Sequence, residues 1–350
     1  MLSRQQIVSV LGKVVWAVRR LLIGKKLSWL GQNPASDSLA IIHLSVKGLG
    51  YEIARERAPG LRGKGPATEP AHHSLRCKAT TQRDIESPWF AHWCAELKIT
   101  PIYYRKLWEY AFALQALFEH GRIREGMRGL GFGCGEESIA SYLAGRGARI
   151  TVTDLDPGIS RGRGWIERGY HTTELDKAFK PELVSRRDFD ERVHLEYVDM
   201  NAIPKHLDGA YDFCWSICAF EHLGSAENGL RFVENAMATL RPGGVAVHTT
   251  EFNFLTEHET IENRDIVLYL RKHFIDLKQR LERAGHSVPD LDFDTGDGVL
   301  DRFIDVPPYG WQPDWREDVW GRWGQDAANL KMSIGSVATT CFGIIVKKRE

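Results

Sequence analysis

Four places in this chain carry residues that could hold a nucleoside-like ligand or move a proton. The first is Gly129-Leu130-Gly131-Phe132-Gly133-Cys134-Gly135-Glu136-Glu137, placed where an apolar strand should turn into a helix. Glycines suit such a turn because the backbone must bend sharply and a ligand must approach without a Cβ in the way. The dinucleotide pattern GxGxxG fails here, its last position falling on Glu136 from Gly131 and on Cys134 from Gly129. The second place is Asp154, 19 residues after Gly135 and at the end of the next strand. A carboxylate there can accept hydrogen bonds from both hydroxyls of a ribose. The third is Asp199-Met200, closing the following strand, where Asp can accept from an adenine amino group and Met can cover the ring face. Asp also forms turns after strands, and Met usually packs in cores. Three suitable residues at three successive strand ends nevertheless make a consistent set. The fourth place is Glu221-His222, directly after another strand, with Glu251 at the end of the strand beyond it. Histidine is the best-matched base near neutral pH, which makes His222 the first candidate and Glu251 the second. Glu221 could orient His222 or simply charge a helix start.

The elements that must position these residues alternate. Leu107, Tyr110, Ala111, Leu114, Leu117 and Phe118 recur at helical spacing, and Gly121 closes that helix. A helix over 137–144 should follow the glycine loop, then strands over 149–153, 193–198 and 211–216. A helix over 226–240 leads through Arg241-Pro242-Gly243-Gly244 into a strand over 245–250, with a later helix over 264–284 and a closing strand over 341–346. Alternation of this kind implies an α/β fold, a doubly wound and mostly parallel sheet with helices on both faces. Ligands of such sheets bind at the carboxyl ends of the strands.

The glycine loop, Asp154, Asp199, the run from Tyr211 to His222 and Arg241-Pro242-Gly243-Gly244 together resemble the class I S-adenosylmethionine-dependent methyltransferases. The resemblance implies a Rossmann-like core and S-adenosylmethionine as cofactor. By it, Gly131, Gly133 and Gly135 cradle the methionine part, Asp154 holds the ribose, and Asp199 and Met200 frame the adenine. The family usually has an acid where this chain has Gly131 and a glycine where it has Glu137. The cofactor's amino group must then be met by Glu136, Glu137 or another segment. A helix before the glycine loop often closes over the cofactor in related enzymes. Arg105 could pair there with the cofactor carboxylate, as a planar donor fork suits, or lie on a solvated charged face.

The implied reaction is methyl transfer to a small-molecule acceptor, with a sugar, glycan or specialised-metabolite hydroxyl as the first expectation. An N-methyltransferase and a non-catalytic binding or assembly partner on the same fold are the alternatives. Trp311, Trp315, Trp320 and Trp323, beside Pro307-Pro308-Tyr309, suggest an acceptor lid or a loop with its own small core. The expected layout is a basic amphipathic helical extension over 1–60, a linker and helical cap over 61–125 and the cofactor-binding core over 126–286. The Trp-rich lid then covers 287–333, and 334–350 supplies a closing strand.

Lys plus Arg equals Asp plus Glu at 46 each, so no global charge draws the chain to nucleic acid. The six scattered cysteines read as reduced thiols of a cytoplasmic protein, and no metal is expected. His72, His73, Cys77 and Cys94 match no zinc module. Asp301, Asp305 and Glu251 are the carboxylates that a metal-dependent enzyme would have to cluster. No uncharged apolar run reaches the ~20 residues of a membrane span. Six basic residues and no acid precede Asp37, and on a helical wheel Lys13, Arg19 and Arg20 lie opposite an apolar face of Ile7, Val10, Leu11, Val14, Val18, Leu21 and Leu22. Residues 1–30 therefore fit a membrane-surface helix, a targeting segment, or a helix packed on this protein or on a second copy.

Overall fold

The computed structural model describes residues 34–63, 70–158, 174–263, 265–307, 309 and 328–350. The amphipathic segment 1–30 and the four lid tryptophans lie outside these residues. By its contacts the chain divides into two compact units, 1–49 and 50–350. Helix α1 (Pro34–Arg62) exposes Leu39, Ile41, Ile42, Val46 and Leu49, whereas Tyr51, Ala54, Ala58 and Leu61 are buried at spacings of three and four residues.

Among the described residues, the second unit holds twelve strands. They are β1 (Cys77–Ala79), β2 (Tyr103–Tyr104), β3 (Arg128–Phe132), β4 (Arg149–Asp154), β5 (Val193–Tyr197), β6 (Tyr211–Ile217), β7 (Leu240–Asn253), β8 (Leu291–Asp292), β9 (Ile304–Asp305), β10 (Ala328–Asn329), β11 (Lys331–Ile334) and β12 (Val337–Lys347). Ten of them form one sheet whose main order is β5-β4-β3-β6-β7-β12-β1-β8, while β2 and β10 pair separately. From β5 to β7 every neighbouring pair is parallel, and β12 joins β7 antiparallel. The chain winds outward from β3 through β4 to β5, then returns to the other side of β3 with β6. A doubly wound sheet opens a ligand crevice at such a reversal, here at the carboxyl ends of β3 and β6.

The central parallel strands are buried on both faces, whereas the edge strand β5 is largely exposed or half-buried. In β6 only Asp212 is not buried, so the strand reads as a continuous apolar run with no alternation. Helices cover the two faces: α2 (Gln82–Ile85), α3 (Pro88–Glu96), α4 (Arg105–Glu119), α5 (Ile139–Gly145), α6 (Arg186–Arg192), α7 (Ala226–Thr239), α8 (Arg271–Arg283) and α9 (Val299–Arg302). Local chemistry marks their ends. Ser87 caps α3 by accepting from Phe90 N at 3.3 Å, and Ser225 caps α7 by accepting from Asn228 N at 3.1 Å. Beyond α4, Gly121 takes a positive φ of 66°, the conformation that ends helices. Helix α4 lies against the sheet where β12 carries Gly343: a Cβ there would meet the Phe112 ring at 2.3 Å. Phe252, Phe274, Phe293 and Phe342 stack into an aromatic core layer beside it.

Three expectations change. Arg241-Pro242-Gly243-Gly244, read as a connector, lies inside β7, because Leu240 already pairs with Tyr211 before a register shift. The segment read as linker and helical cap holds β1, which pairs with β12 at Lys78↔Gly343 and Ala79↔Phe342. The segment assigned to a lid also contributes β8, β9, β10 and most of β11. No helix among the described residues is long and apolar enough to cross a membrane.

Candidate active site

The crevice at the reversal point brings together the residues at three strand ends. Gly133, after β3, has a φ of 58°, which glycine adopts without strain. A Cβ at Gly133 would lie 2.9 Å from Ala219 Cβ and 3.4 Å from Met200 Sδ, so the bare backbone leaves a slot between loop, β5 end and β6 end. Asp154 is buried at the carboxyl end of β4, its Oδ2 accepting from Gly135 N at 3.2 Å and its Oδ1 from Leu155 N at 2.9 Å. The loop is tied to β4 a second time by Thr153 Oγ1, which donates to the Gly131 carbonyl at 2.8 Å. Asp199 is exposed and accepts from Asn201 N at 2.8 Å, while Met200 is buried against the loop. Glu136 is exposed and pairs with Lys177 at 3.4 Å.

Beside this crevice lies a second, strongly polar cluster, where α4 crosses the carboxyl ends of β6 and β7 and the antiparallel β12. Arg105 Nη1 meets Glu251 Oε1 at 2.5 Å and donates to Cys341 Sγ at 3.1 Å, while Nη2 reaches Met332 Sδ at 2.9 Å. Glu109 is fully buried and accepts from Cys218 Sγ at 2.9 Å and from the Thr249 hydroxyl, with Lys106 Nζ 3.5 Å away. Burial alone would push the Glu109 carboxyl up. Lys106, Arg105 and the bonds from Cys218 and Thr249 outweigh it and hold the group below the usual carboxylate range. Glu251 also accepts from Thr339 Oγ1 at 2.8 Å. Cys218 has a φ of 45°, a left-handed conformation that costs a non-glycine residue about 1–3 kcal/mol and gathers at functional sites. Burial pushes its thiol well above the ordinary range.

Glu221 and His222 follow on a short 3-10 turn. Glu221 is buried and accepts from Thr250 Oγ1 at 3.0 Å; burial raises its carboxyl, against a lowering by His222. His222 Nδ1 lies 2.6 Å from the Asp265 carbonyl. A carbonyl only accepts, so Nδ1 is the donor in that contact. Arg105, expected either to pair with a cofactor carboxylate or to lie on a solvated charged face, is largely buried and pairs with Glu251. The sequence singles out neither Glu109 nor Cys218, whose neighbours come from distant strands.

Among the described residues, Glu109, Cys218 and Cys341 form one group with ligand atoms within 4.8 Å, and Cys218, Glu221 and Glu251 form another. The cations of Arg105 and Lys106 already share this cluster. Asp301 instead pairs with Lys331 at 3.3 Å, and Asp305 accepts from Asn329 at 2.8 Å. Cys77 donates to the Ile345 carbonyl within the sheet, and His72 rests on Phe118, which ties both into packing.

A methyltransferase-domain family model matches residues 104–290, more than half of the chain, spanning the loop, Asp154, Asp199, His222 and Glu251. The chain belongs to the methyltransferase family. It is a class I, S-adenosylmethionine-dependent member, with S-adenosylmethionine as its cofactor. No curated protein matches it. Among solved structures, it is similar to an S-adenosylmethionine-dependent methyltransferase from Mesorhizobium loti, at 14% identity over 67% of this chain and 96% of that one, with a TM-score of 0.36. It is similar also to the cyclase SpnF, at 15% identity over 86% of this chain and 97% of that one, with a TM-score of 0.42. A third is the phosphoethanolamine N-methyltransferase 2 of Haemonchus contortus, at 13% identity over 68% of this chain and 52% of that one, with a TM-score of 0.38.

The residues present fit the cofactor of this family. At Gly133 a Cβ would crowd Ala219 and close on Met200, so only the bare backbone lets the loop pass close to a ligand there. Asp154 presents a buried carboxylate at the end of β4, bonded to the same loop through Gly135 N.

Proposed function

We propose that this methyltransferase passes the methyl group of S-adenosylmethionine to a hydroxyl of a small-molecule acceptor, with His222 as the base. The observation that carries this reading is the 2.6 Å contact of His222 Nδ1 with the Asp265 carbonyl, which orients the imidazole through its Nδ1–H on the turn after β6, as a general base is held in position. The cofactor supplies an activated methyl on a sulfonium. The chain's own task is to align an acceptor oxygen with that methyl and to take the hydroxyl proton, and orientation alone can contribute up to ~7–11 kcal/mol. Gly131, Gly133, Gly135, Asp154, Asp199 and Met200 hold the cofactor in this reading. The cluster of Arg105, Glu109, Cys218 and Glu251 supplies fixed donors and acceptors beside it, and Glu251 is the second candidate base.

Transfer to an amine is the second reading. It is favoured by Glu221 and Glu251, whose oxygens lie with Cys218 Sγ within 4.8 Å of one another and would attract a cationic acceptor. Transfer of a labelled methyl group from S-adenosylmethionine to separate panels of sugars, phenols, alcohols and amines tests both. Label on hydroxyl acceptors supports the first reading, and label confined to amines replaces it with the second. Absence of label from every panel, with the cofactor bound, would favour a binding role for the fold.

A further inference from the structure

Position 131 stands in the centre of the sheet, at the mouth of the crevice, and no side chain can project from it. A Cβ there would come within 2.3 Å of Cys134 Sγ and within 2.5 Å of the Trp215 ring. Trp215 is the direct partner of Gly131 on the neighbouring strand, so its indole fills that space as a consequence of register. The indole Nε1 faces Glu137 Oε2 at 3.4 Å. Glu137 sits between the glycine loop and the start of α5, half-buried, unlike its exposed neighbour Glu136. Charged and titratable groups face it from several sides: Lys106, Glu109 and Tyr110 from α4, Asp154 from β4, and Cys134 from the loop.

S-adenosylmethionine carries an α-ammonium group that needs an anionic or strongly accepting partner once it leaves water. Both Asp154 oxygens accept from backbone amides, and Glu136 is paired with Lys177 outside the crevice. We propose that the Glu137 carboxylate takes the α-amino group of the cofactor, from the loop, because Trp215 closes position 131 to any side chain. This rests on the reading that the loop and Asp154 hold the cofactor. Burial, aided by the charges of Glu109 and Asp154, pushes the Glu137 carboxyl well above its ordinary range, against the pull of Lys106 and the Trp215 bond. A carboxyl in that condition is ionised by the arrival of an ammonium, so cofactor binding releases a proton to solvent.

Calorimetric titration with S-adenosylhomocysteine and with 5′-methylthioadenosine, which lacks the amino-acid end, tests the proposal. Glu137→Gln should weaken S-adenosylhomocysteine by about tenfold or more and leave methylthioadenosine unchanged, with Glu136→Gln altering neither. An unchanged ratio of the two affinities in Glu137→Gln overturns the assignment. The wild-type protein gives a second check that needs no variant. In two buffers of different ionisation enthalpy, over a series of pH values above the ordinary carboxylate range, S-adenosylhomocysteine should release a proton and methylthioadenosine should not. Equal release by both ligands would also overturn it. Failure of the wild type to bind either ligand would instead reject the cofactor site itself, which keeps the two failures apart.

Discussion

Arg105 Nη1 and Glu251 Oε1 lie 2.5 Å apart, joining the first residue of α4 to the carboxyl end of β7. Their side chains are only 11% and 5% exposed, so neither charge can fall back on water if the other is lost. The pair locks the helix that carries Glu109 and Lys106 onto the sheet.

Removing one partner should therefore be costly. Arg105→Ala leaves Glu251 buried and uncompensated, an outcome expected to destabilise the fold by about 3–5 kcal/mol. The double variant R105M/E251L should recover most of that loss, because it buries no charge. Urea unfolding of the three proteins reads both. A single variant as stable as wild type would show that the pair does not hold α4 in place.

Asp154 faces a different test. In the cofactor reading it meets the ribose, which S-adenosylhomocysteine and methylthioadenosine share. Asp154→Ala should weaken both ligands by roughly ten- to a hundredfold, through the loss of hydrogen bonds to a charged group. Selective loss of one ligand would move Asp154 away from the ribose.

His222→Gln should separate catalysis from binding. Removal of a general base slows transfer by roughly 10²–10⁴-fold, while the affinity for S-adenosylhomocysteine should stay near wild type. Single-turnover transfer to a hydroxyl acceptor measures the first quantity. Wild-type rates in this variant would pass the role to Glu251.

The acid limb of the stability profile has an identifiable source in His248. This imidazole is fully buried, accepts or donates at Nδ1 with Ser216 Oγ at 2.8 Å, and is pushed down to about 3 by burial. An unfolded histidine titrates near about 6.5. The stability that His248 contributes is thus fully present above that pH and is lost as the pH falls towards about 3. Glu221 and Glu137, raised by burial, act in the opposite sense, since their contribution is lost as the pH rises above the ordinary carboxylate range. Comparison with His248→Leu isolates the histidine. The urea midpoint of the variant should fall less than that of wild type between about pH 6.5 and 4.5. Identical slopes would reject His248 as the source.

The sequence made the core legible because its signals are local. The glycine loop, Asp154 and Asp199 sit at fixed distances along one winding of strand and helix, and the apolar run of β6 needs no partner to be recognised. What stayed hidden depends on long-range pairing. The three residues of β1 have no period of their own and become a strand only beside Gly343 and Phe342. Arg241–Gly244 has the composition of a loop, yet β6 draws it into the sheet. The partner of Arg105 lies on a strand far along the chain. Two adjacent acids, Glu136 and Glu137, could not be told apart until register placed Trp215 over Gly131 and turned one of them inward.

Lys106 stands in the field of two carboxyl groups, Glu109 on its own helix and Glu137 on the glycine loop. A single ammonium between them ties the polar cluster and the crevice into one electrostatic balance. In the proposed cofactor contact Glu137 gains a negative charge as an ammonium arrives beside it, so the field at Lys106, and through it at Glu109, changes with cofactor binding. Thermodynamic linkage requires the reverse as well: a ligand that alters the charge near Glu109 changes the affinity of the crevice by the same factor.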